Sequence, residues 1–240
     1  MVPLLLIVAS VAGLINFSNA ASAGFVVPCH ASDEKCLFDN LDRGIVAYKD
    51  GIPELGVEKM DPMHLKEVDA SSPNLKFLLK DLTVTGLKSC KPLKLKRDPS
   101  KSTIVIKLEC PIKLDGQYEL DGQVLVLKVG GKGKIHVFLK KLEIEVILDI
   151  VKKEKNGEEY MKVKKFTHSY ELKEKSDLVF EGLFQENKVL NEAAKDLINN
   201  SPNEIINEIG GGLFTACITE VVKNVNSMFS HVPTKQLVLD

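Results

Sequence analysis

The feature that most constrains the fold is a long alternation of apolar and polar residues over 134–151, KIHVFLKKLEIEVILDIV. Apolar residues occupy odd positions before Lys140–Lys141 and even positions after it. Successive side chains of a β-strand point to opposite faces, and a β-bulge inserts one residue and so restores the phase. The pattern predicts one long, bent strand with a single apolar face, and it places Glu143 and Glu145 on the outer face.

The same two-residue period extends over residues 75–172. Apolar side chains from Ile104 to Leu114 occupy every second position, as in a half-buried antiparallel strand. Hairpin turns are predicted at residues 97–102 and at 155–158, where Asn-Gly favours a tight turn. This region therefore predicts a meander of long antiparallel strands that share one continuous apolar face.

The last third of the chain returns to a helical pattern, from Ser201 to just before Pro233. Ser201, Pro202 and Glu204 match a capping box, with serine at the N-cap and proline at the first helical position. Apolar residues then occupy two adjacent stripes, so the helix needs cover on most sides. The glycines at 210–212 predict a kink or a close approach of another backbone.

Together the two patterns predict an α+β fold in which a strongly curved antiparallel β-sheet wraps a long C-terminal α-helix. A curved sheet is wider than one helix, so gaps between them would be lined by aliphatic side chains and would suit an apolar ligand. The alternative is that the same side chains fill a solid core. Periodicity alone favours the solid core.

The N-terminus carries an apolar segment that is typical of a secretory signal peptide. Residues 1–15 contain no charged side chain, and small residues follow. A membrane anchor is disfavoured because the apolar run is shorter than the ~20 residues that a spanning helix requires. We expect residues 1–20 to be the signal peptide, cleaved after Ala20 or Ala23, and residues 21–240 to form one secreted domain with no stable membrane insertion.

An amphipathic helix is predicted over residues 32–49, with Ser32 or Asp33 as its cap. Just before it, Cys29 and Cys36 lie seven positions apart. Cysteines pair in an oxidising compartment, whereas a zinc site would need a second cluster to complete four ligands, and a redox site would favour CxxC. The pair therefore predicts a disulfide that ties the start of the helix to the preceding chain.

A second disulfide is predicted between Cys90 and Cys110, which the hairpin at 97–102 places roughly opposite each other. In the simplest register Leu95 faces Ile104, and the two cysteines are then one residue out of step. A bulge at the intervening proline would restore the match.

Enzyme motifs are absent from the sequence, which contains no GxSxG nucleophile elbow, HExxH or Walker loop. The five histidines are scattered without a carboxylate at motif spacing, so we expect no catalytic residue, metal or cofactor. Cys217 lies within the apolar stripe of the C-terminal helix, where we expect a buried free thiol. A hydrolase acting on apolar esters stays the enzymatic alternative.

The net charge of −1 gives no reason to expect a nucleic-acid partner. Positive charge is concentrated on the predicted hairpin at 88–101, which is either a docking surface for an acidic partner or membrane, or a solvated face that protects a sheet edge from aggregation. The second is favoured because no aromatic residues are interleaved with the basic ones. The basic residues are Lys88, Lys91, Lys94, Lys96, Arg97 and Lys101.

Several segments, in this order along the chain, resemble the insect juvenile-hormone-binding and takeout-like carrier family. They are the C-x6-C pair behind the signal peptide, GIPELGVEKMDPM at 51–63, LTVTGLKS at 82–89, LDGQYELDGQVLVLKVGGKGKI at 114–135, and NVNSMFSHVPTKQLV at 224–238. The resemblance covers essentially the whole mature chain.

This resemblance implies a tubular lipid-binding fold and a non-enzymatic, haemolymph-type carrier of small apolar ligands such as juvenile hormone, other isoprenoids or fatty acyl compounds. It implies that Cys29 and Cys36 form the family's first disulfide. We expect the ligand to be held in a dry tunnel, with the helix over 33–49 as its gate. His168 stands where the hormone binders place a cysteine that joins a strand to the C-terminal helix. That difference points to the broader takeout-like group rather than to juvenile hormone itself. We expect a monomer.

The resemblance also favours a ligand cavity over a solid core. The side chains expected to line it come from the N-terminal helix, the inner face of the strands and the C-terminal helix. They are Leu41, Ile45, Ile104, Ile106, Leu108, Tyr118, Ile135, Val137, Leu139, Ile144, Val146, Leu148, Leu213, Phe214, Cys217 and Val221.

Overall fold

The computed structural model of the chain describes residues 24–125, 127–183 and 188–240. The predicted signal peptide and both of its cleavage positions lie outside these residues. In the described part, a curved antiparallel sheet and a C-terminal helix form the body of the molecule, which confirms the predicted fold class.

Within the described residues, seven strands form one antiparallel sheet in the order β1-β2-β4-β5-β6, with β3 on β4 and β7 on β5. β4 and β5 form a long central ribbon. β2 and β3 lie along one edge of it, and β6 and β7 along the other. The strands are β1 Met63–Asp69, β2 Leu75–Thr85, β3 Lys91–Asp98, β4 Thr103–Val124, β5 Leu127–Lys155, β6 Glu158–Leu172 and β7 Asp177–Phe180.

The predicted bulge in the long strand β5 is confirmed by its pairing with β4. Lys140 and Lys141 together lie opposite Pro111. Both lysines reach acidic groups: Lys140 Nζ lies 2.8 Å from Asp177 Oδ1, and Lys141 Nζ lies 3.3 Å from Glu109 Oε2. The bulge therefore places two consecutive charged residues outside the core while the apolar residues on both sides of it keep one inner face.

The predicted disulfide between Cys90 and Cys110 is present, with an S–S distance of 2.00 Å. The predicted register was wrong by two residues, because Leu95 lies opposite Ile106. The bulge falls at Leu93, one residue beyond the proline where it was predicted. This extra residue in β3 brings the two cysteines level.

Four helices complete the described part: α1 Glu34–Asp50, α2 Lys188–Asn200, α3 Pro202–Ile209 and α4 Gly211–His231. The predicted C-terminal helix is divided at Gly210, where α3 and α4 meet at an angle of 66°. A Cβ on Gly212 would lie 2.8 Å from the Cα of Ala70, so another backbone also approaches closely, as predicted. No single helix in the described ranges is long and apolar enough to cross a membrane, although α3 and α4 pass that test together.

The capping prediction for α3 is half correct. Ser201 occupies the N-cap position and Pro202 the first helical position, but the Ser201 side chain accepts no hydrogen bond. The capping box is therefore not formed. Helix α2 and strands β1 and β7 were not predicted from the sequence.

Helix α1 begins where it was predicted to begin. Asp33 is its N-cap, and Asp33 Oδ1 accepts a hydrogen bond of 3.0 Å from the backbone N–H of Cys36. The disulfide between Cys29 and Cys36 is also present. Cys29 lies in the segment before α1, and its carbonyl oxygen accepts a hydrogen bond of 3.1 Å from the backbone N–H of Leu239. The disulfide therefore holds the start of α1 beside the segment that precedes it and beside residue 239.

The sheet curves around α4. β1 and β6 lie at opposite ends of the strand order, yet both contact this helix. In a flat sheet four strand spacings would separate them by about 19 Å, whereas a helix with its side chains is only about 10 Å wide. α1 contacts β3 and the 3₁₀ turn Leu87–Ser89.

Candidate ligand-binding cavity

A cavity of about 410 Å³ lies between the inner face of the sheet, α4 and α1. This volume is within the range of about 300–1,000 Å³ that is typical of small-molecule sites. Its wall is almost entirely aliphatic and aromatic. The space between helix and sheet is therefore a cavity along this part of the molecule, and not the solid core that periodicity alone favoured.

The central ribbon builds the largest wall of the cavity. Ile106 lies opposite Val146, and Leu108 lies opposite Ile144, and each pair points to the same face because cross-strand partners share a face. Val137, on the other side of the bulge, lines the same cavity. Two segments of β5 with opposite odd–even phase thus supply one continuous surface.

The structure places all but one of the predicted lining residues in this wall. They come from α1, β4, β5 and α4 and are Leu41, Ile45, Ile104, Ile106, Leu108, Ile135, Val137, Leu139, Ile144, Val146, Leu148, Leu213, Phe214, Cys217 and Val221.

Tyr118 is the exception, and its predicted position was wrong. Its ring packs edge-on against Phe180 with 4.9 Å between centroids, and its hydroxyl donates to the carbonyl oxygen of Glu181 at 2.9 Å. Side chains of α2 and α3 fill the far end of the sheet, where the remaining space is about 20 Å³. Alternation shows correctly that Tyr118 faces inward, but this part of the inner face covers solid core.

Several wall residues were not predicted. They come from α1, the segment after it, β1 and β2, and include Leu37, Tyr48, Met60, Met63, Phe77 and Val84. The alternation within β2 was visible in the sequence and was a usable signal for Phe77. Tyr48 and Met60 carried no such signal, because their position depends on how α1 and the following loop dock on the sheet.

Arg97 is the most unexpected wall residue, because the sequence assigned it to a solvated basic hairpin. It lies opposite Ile104 and points inward, and its side chain is only 11% exposed. Arg97 Nη1 donates to the backbone oxygen of Asp240 at 3.2 Å, and Nη2 contacts the Asp240 carboxylate. Burial lowers the pKa of Arg97, but a guanidinium stays protonated at any physiological pH. The lysines of β3 remain exposed, so the basic surface is smaller than predicted.

Tyr48, in the last turn of α1, brings a hydroxyl group to the cavity wall. This hydroxyl donates to the thioether sulfur of Met228 at 3.4 Å, and the ring packs edge-on against Phe25 with 6.2 Å between centroids. The Tyr48 carbonyl accepts hydrogen bonds of 3.2 Å from the backbone N–H groups of Gly51 and Met60. Burial raises the pKa of Tyr48, so the hydroxyl is a neutral donor.

Cys217 lines the cavity from α4 and is unpaired among the described cysteines, as predicted. Burial raises the pKa of its thiol to about 12. Since the thiolate is the reactive form of cysteine, this thiol is expected to be unreactive at neutral pH. In the described ranges, no group of three or more His, Cys, Asp or Glu side chains could hold a metal ion.

His168 joins β6 to α4 by a hydrogen bond. Its Nε2 lies 3.0 Å from Thr215 Oγ1. The Thr215 hydroxyl donates to the carbonyl oxygen of Gly211 at 2.9 Å, so it accepts from His168, and Nε2 carries the proton. Nδ1 is buried without a partner, and burial lowers the pKa of His168.

The family model described as haemolymph juvenile hormone binding protein matches residues 4–239. The chain belongs to this family. Membership implies the binding of small hydrophobic ligands, and the apolar cavity agrees with it.

Relatives and a solved structure extend over most of the chain. The circadian clock-controlled protein daywake of Drosophila melanogaster is 24% identical over 240 residues, with 92% of each chain covered. Its counterpart in Drosophila yakuba is 23% identical over 239 residues, with 89% of this chain and 88% of that protein covered. The crystal structure of Epiphyas postvittana Takeout 1 matches with a TM-score of 0.82 at 24% identity, over 90% of this chain and 100% of that one, and shows the same fold.

Proposed function

We propose that the chain is a secreted, non-enzymatic carrier that holds a small apolar ligand in the cavity between the sheet and α4. Juvenile hormone, another isoprenoid or a fatty acyl compound is the proposed ligand class. The observation that carries the proposal is the cavity itself: about 410 Å³ lined by aliphatic and aromatic side chains. Affinity would come from the removal of apolar surface from water, at about 25 cal/mol per Å², less the cost of immobilising the ligand.

Secretion into haemolymph or a similar fluid is supported by the two disulfides, because disulfides persist in oxidising compartments and are rare in the cytosol. The signal-like sequence at residues 1–20 supports the same localisation. We propose that the carrier acts as a monomer.

We propose that α1 is the gate of the cavity. Its inner side supplies Leu37, Leu41, Ile45 and Tyr48 to the wall, while only Leu37 is fully buried. The helix is anchored at its start by the disulfide and at its end by hydrogen bonds to the Tyr48 carbonyl. A helix that is held at both ends and lightly packed between them suits a segment that opens locally.

The carrier proposal is tested with a matched pair of substitutions on adjacent residues of β5. Val146→Trp places an indole in the cavity, whereas Ile147→Trp places it on the outer face of the sheet. Titration with N-phenyl-1-naphthylamine, a neutral fluorescent probe, should show binding to the wild type that Val146→Trp weakens by at least about tenfold, or 1.4 kcal/mol. Ile147→Trp should bind the probe with the affinity of the wild type.

Thermal unfolding of both variants controls for misfolding. Equal probe affinity in the two variants, at comparable stability, would show that the probe does not enter the cavity and would count against the proposal. If only Val146→Trp weakens probe binding, mass spectrometry of an organic extract of the native protein is the experiment that identifies the ligand.

A further inference from the structure

The hydroxyl of Tyr48, in the described wall of the cavity, is a strong hydrogen-bond donor without a strong acceptor. Its partner is the sulfur of Met228 at 3.4 Å, and a thioether is only a weak acceptor. A ligand oxygen in place of the sulfur would improve this hydrogen bond, because the donor is already desolvated.

The other polar side chains of the described wall are engaged or solvated, except for part of the Arg97 guanidinium. Asn40 bonds to the backbone of Val27 through both its oxygen and its nitrogen. The charge of Arg97 is paired with Asp240 through Nη1 and Nη2, while its Nε is buried without a hydrogen-bond partner. Lys49 Nζ lies 3.7 Å from Asp50 Oδ2. Lys88 is exposed.

The Tyr48 ring that carries the hydroxyl is also held in place. Phe25 packs against the ring and two backbone N–H groups fix the Tyr48 carbonyl, so the position of the ring is set while the hydroxyl can rotate from the Met228 sulfur to a ligand oxygen. A donor that is preorganised in this way loses little freedom when it binds a ligand.

We propose that Tyr48 selects ligands that carry a neutral acceptor oxygen, such as an ester, ketone or ether, on an apolar chain. The proposal rests on the carrier function proposed above. The surroundings of the hydroxyl are a thioether and a phenyl ring, so a carboxylate there would be desolvated with a single donor and no cation, which is unfavourable. Because Tyr48 belongs to α1, the same bond would hold the proposed gate closed over an oxygen-bearing ligand.

The test compares ligands of one chain length: dodecane, methyl dodecanoate and dodecanoate. Each is measured by displacement of N-phenyl-1-naphthylamine from the wild type and from Tyr48→Phe. We expect Tyr48→Phe to weaken the affinity for methyl dodecanoate by about three- to tenfold, which is the effect of one neutral hydrogen bond. The affinity for dodecane should change by less than about twofold. The wild type should prefer the ester to the carboxylate.

Tyr118→Phe is the matched control, because it removes a tyrosine hydroxyl outside the cavity that bonds to the Glu181 carbonyl. It should leave the ratio of ester to alkane affinity unchanged. If Tyr48→Phe changes the affinities for the ester and the alkane equally, or changes neither affinity, the proposal that Tyr48 selects the ligand is wrong. If the wild type binds no probe and no ligand, the carrier proposal itself fails.

A second measurement needs only the wild type as a folded protein. Methyl dodecanoate labelled with ¹³C at the carbonyl has an infrared band that moves to lower frequency on hydrogen bonding. The band of the bound ester should lie at the hydrogen-bonded position, and a band at the position of a free carbonyl would refute the proposal.

Discussion

A glutamate placed on either side of the β5 bulge tests whether the wall is continuous. Val137 and Ile144 lie on opposite sides of the bulge and have opposite odd–even phase, yet both line the cavity. Val137→Glu and Ile144→Glu should therefore each place a carboxyl group in an apolar environment. Without a bulge, one of them would point to solvent and be tolerated.

The expected magnitude follows from the protonation of the buried group. A glutamate with an ordinary pKa of about 4.3 becomes neutral at pH 7 at a free-energy cost of about 4 kcal/mol, since each pKa unit corresponds to about 1.4 kcal/mol. This sets the upper limit of the charge penalty, because burial raises the pKa and the group then takes up a proton. Loss of apolar packing adds to it.

The assay is urea unfolding at pH 7 and at pH 5. Because the raised pKa belongs to the folded state, the folded variant binds more protons than the unfolded chain, and its stability relative to the wild type should improve on acidification by up to about 2.7 kcal/mol. Both variants should also lose binding of the fluorescent probe.

Glu145→Gln is the control on the outer face, because it adds no positive charge opposite Lys107, and it should cost less than about 1 kcal/mol. Glu143 is less suitable, contrary to its expected exposure, because its side chain is only 17% exposed and lies 2.8 Å from Lys107 Nζ. This ion pair lowers the pKa of Glu143, so a lysine in its place would meet like charge and should be destabilising. A harmless substitution at Val137 or Ile144, beside a severe one at the other position, would refute the continuous wall.

Two further predictions concern α4. The folded pKa of His168 is lowered, so the wild type should lose stability as pH falls below about 6.5, by at most about 1.4 kcal/mol per pH unit. His168→Gln should flatten the difference in thermal unfolding between pH 6.5 and 5, and an unchanged slope would contradict the lowered pKa of His168. In the folded protein at neutral pH, the Cys217 thiol should react with iodoacetamide far more slowly than in the urea-unfolded protein, because burial raises its pKa to about 12. Rapid alkylation of the native protein would contradict its buried position.

Much of the fold was predictable because alternation reports directly which face a residue occupies. The phase slip at Lys140–Lys141 identified a bulge that the pairing of β4 and β5 confirms. Asn156–Gly157 marked the β5–β6 turn, where both residues have positive φ. The width of the apolar arc on the C-terminal helix required a cover, and the sheet supplies it.

The sequence by itself determined the faces of β4 and β5, the turns and the pairing of the cysteines, because these depend on neighbours close along the chain. Only the tertiary structure decided which part of the inner face encloses space. Alternation places both Ile106 and Tyr118 on the inner face. However, α4 leaves a cavity over Ile106, whereas Tyr118 lies where α2 and α3 fill the far end of the sheet. Arg97 lies on the inner face with Leu95, and its burial was likewise decided by the tertiary structure, because Asp240, which pairs with it, lies 143 positions away in the chain.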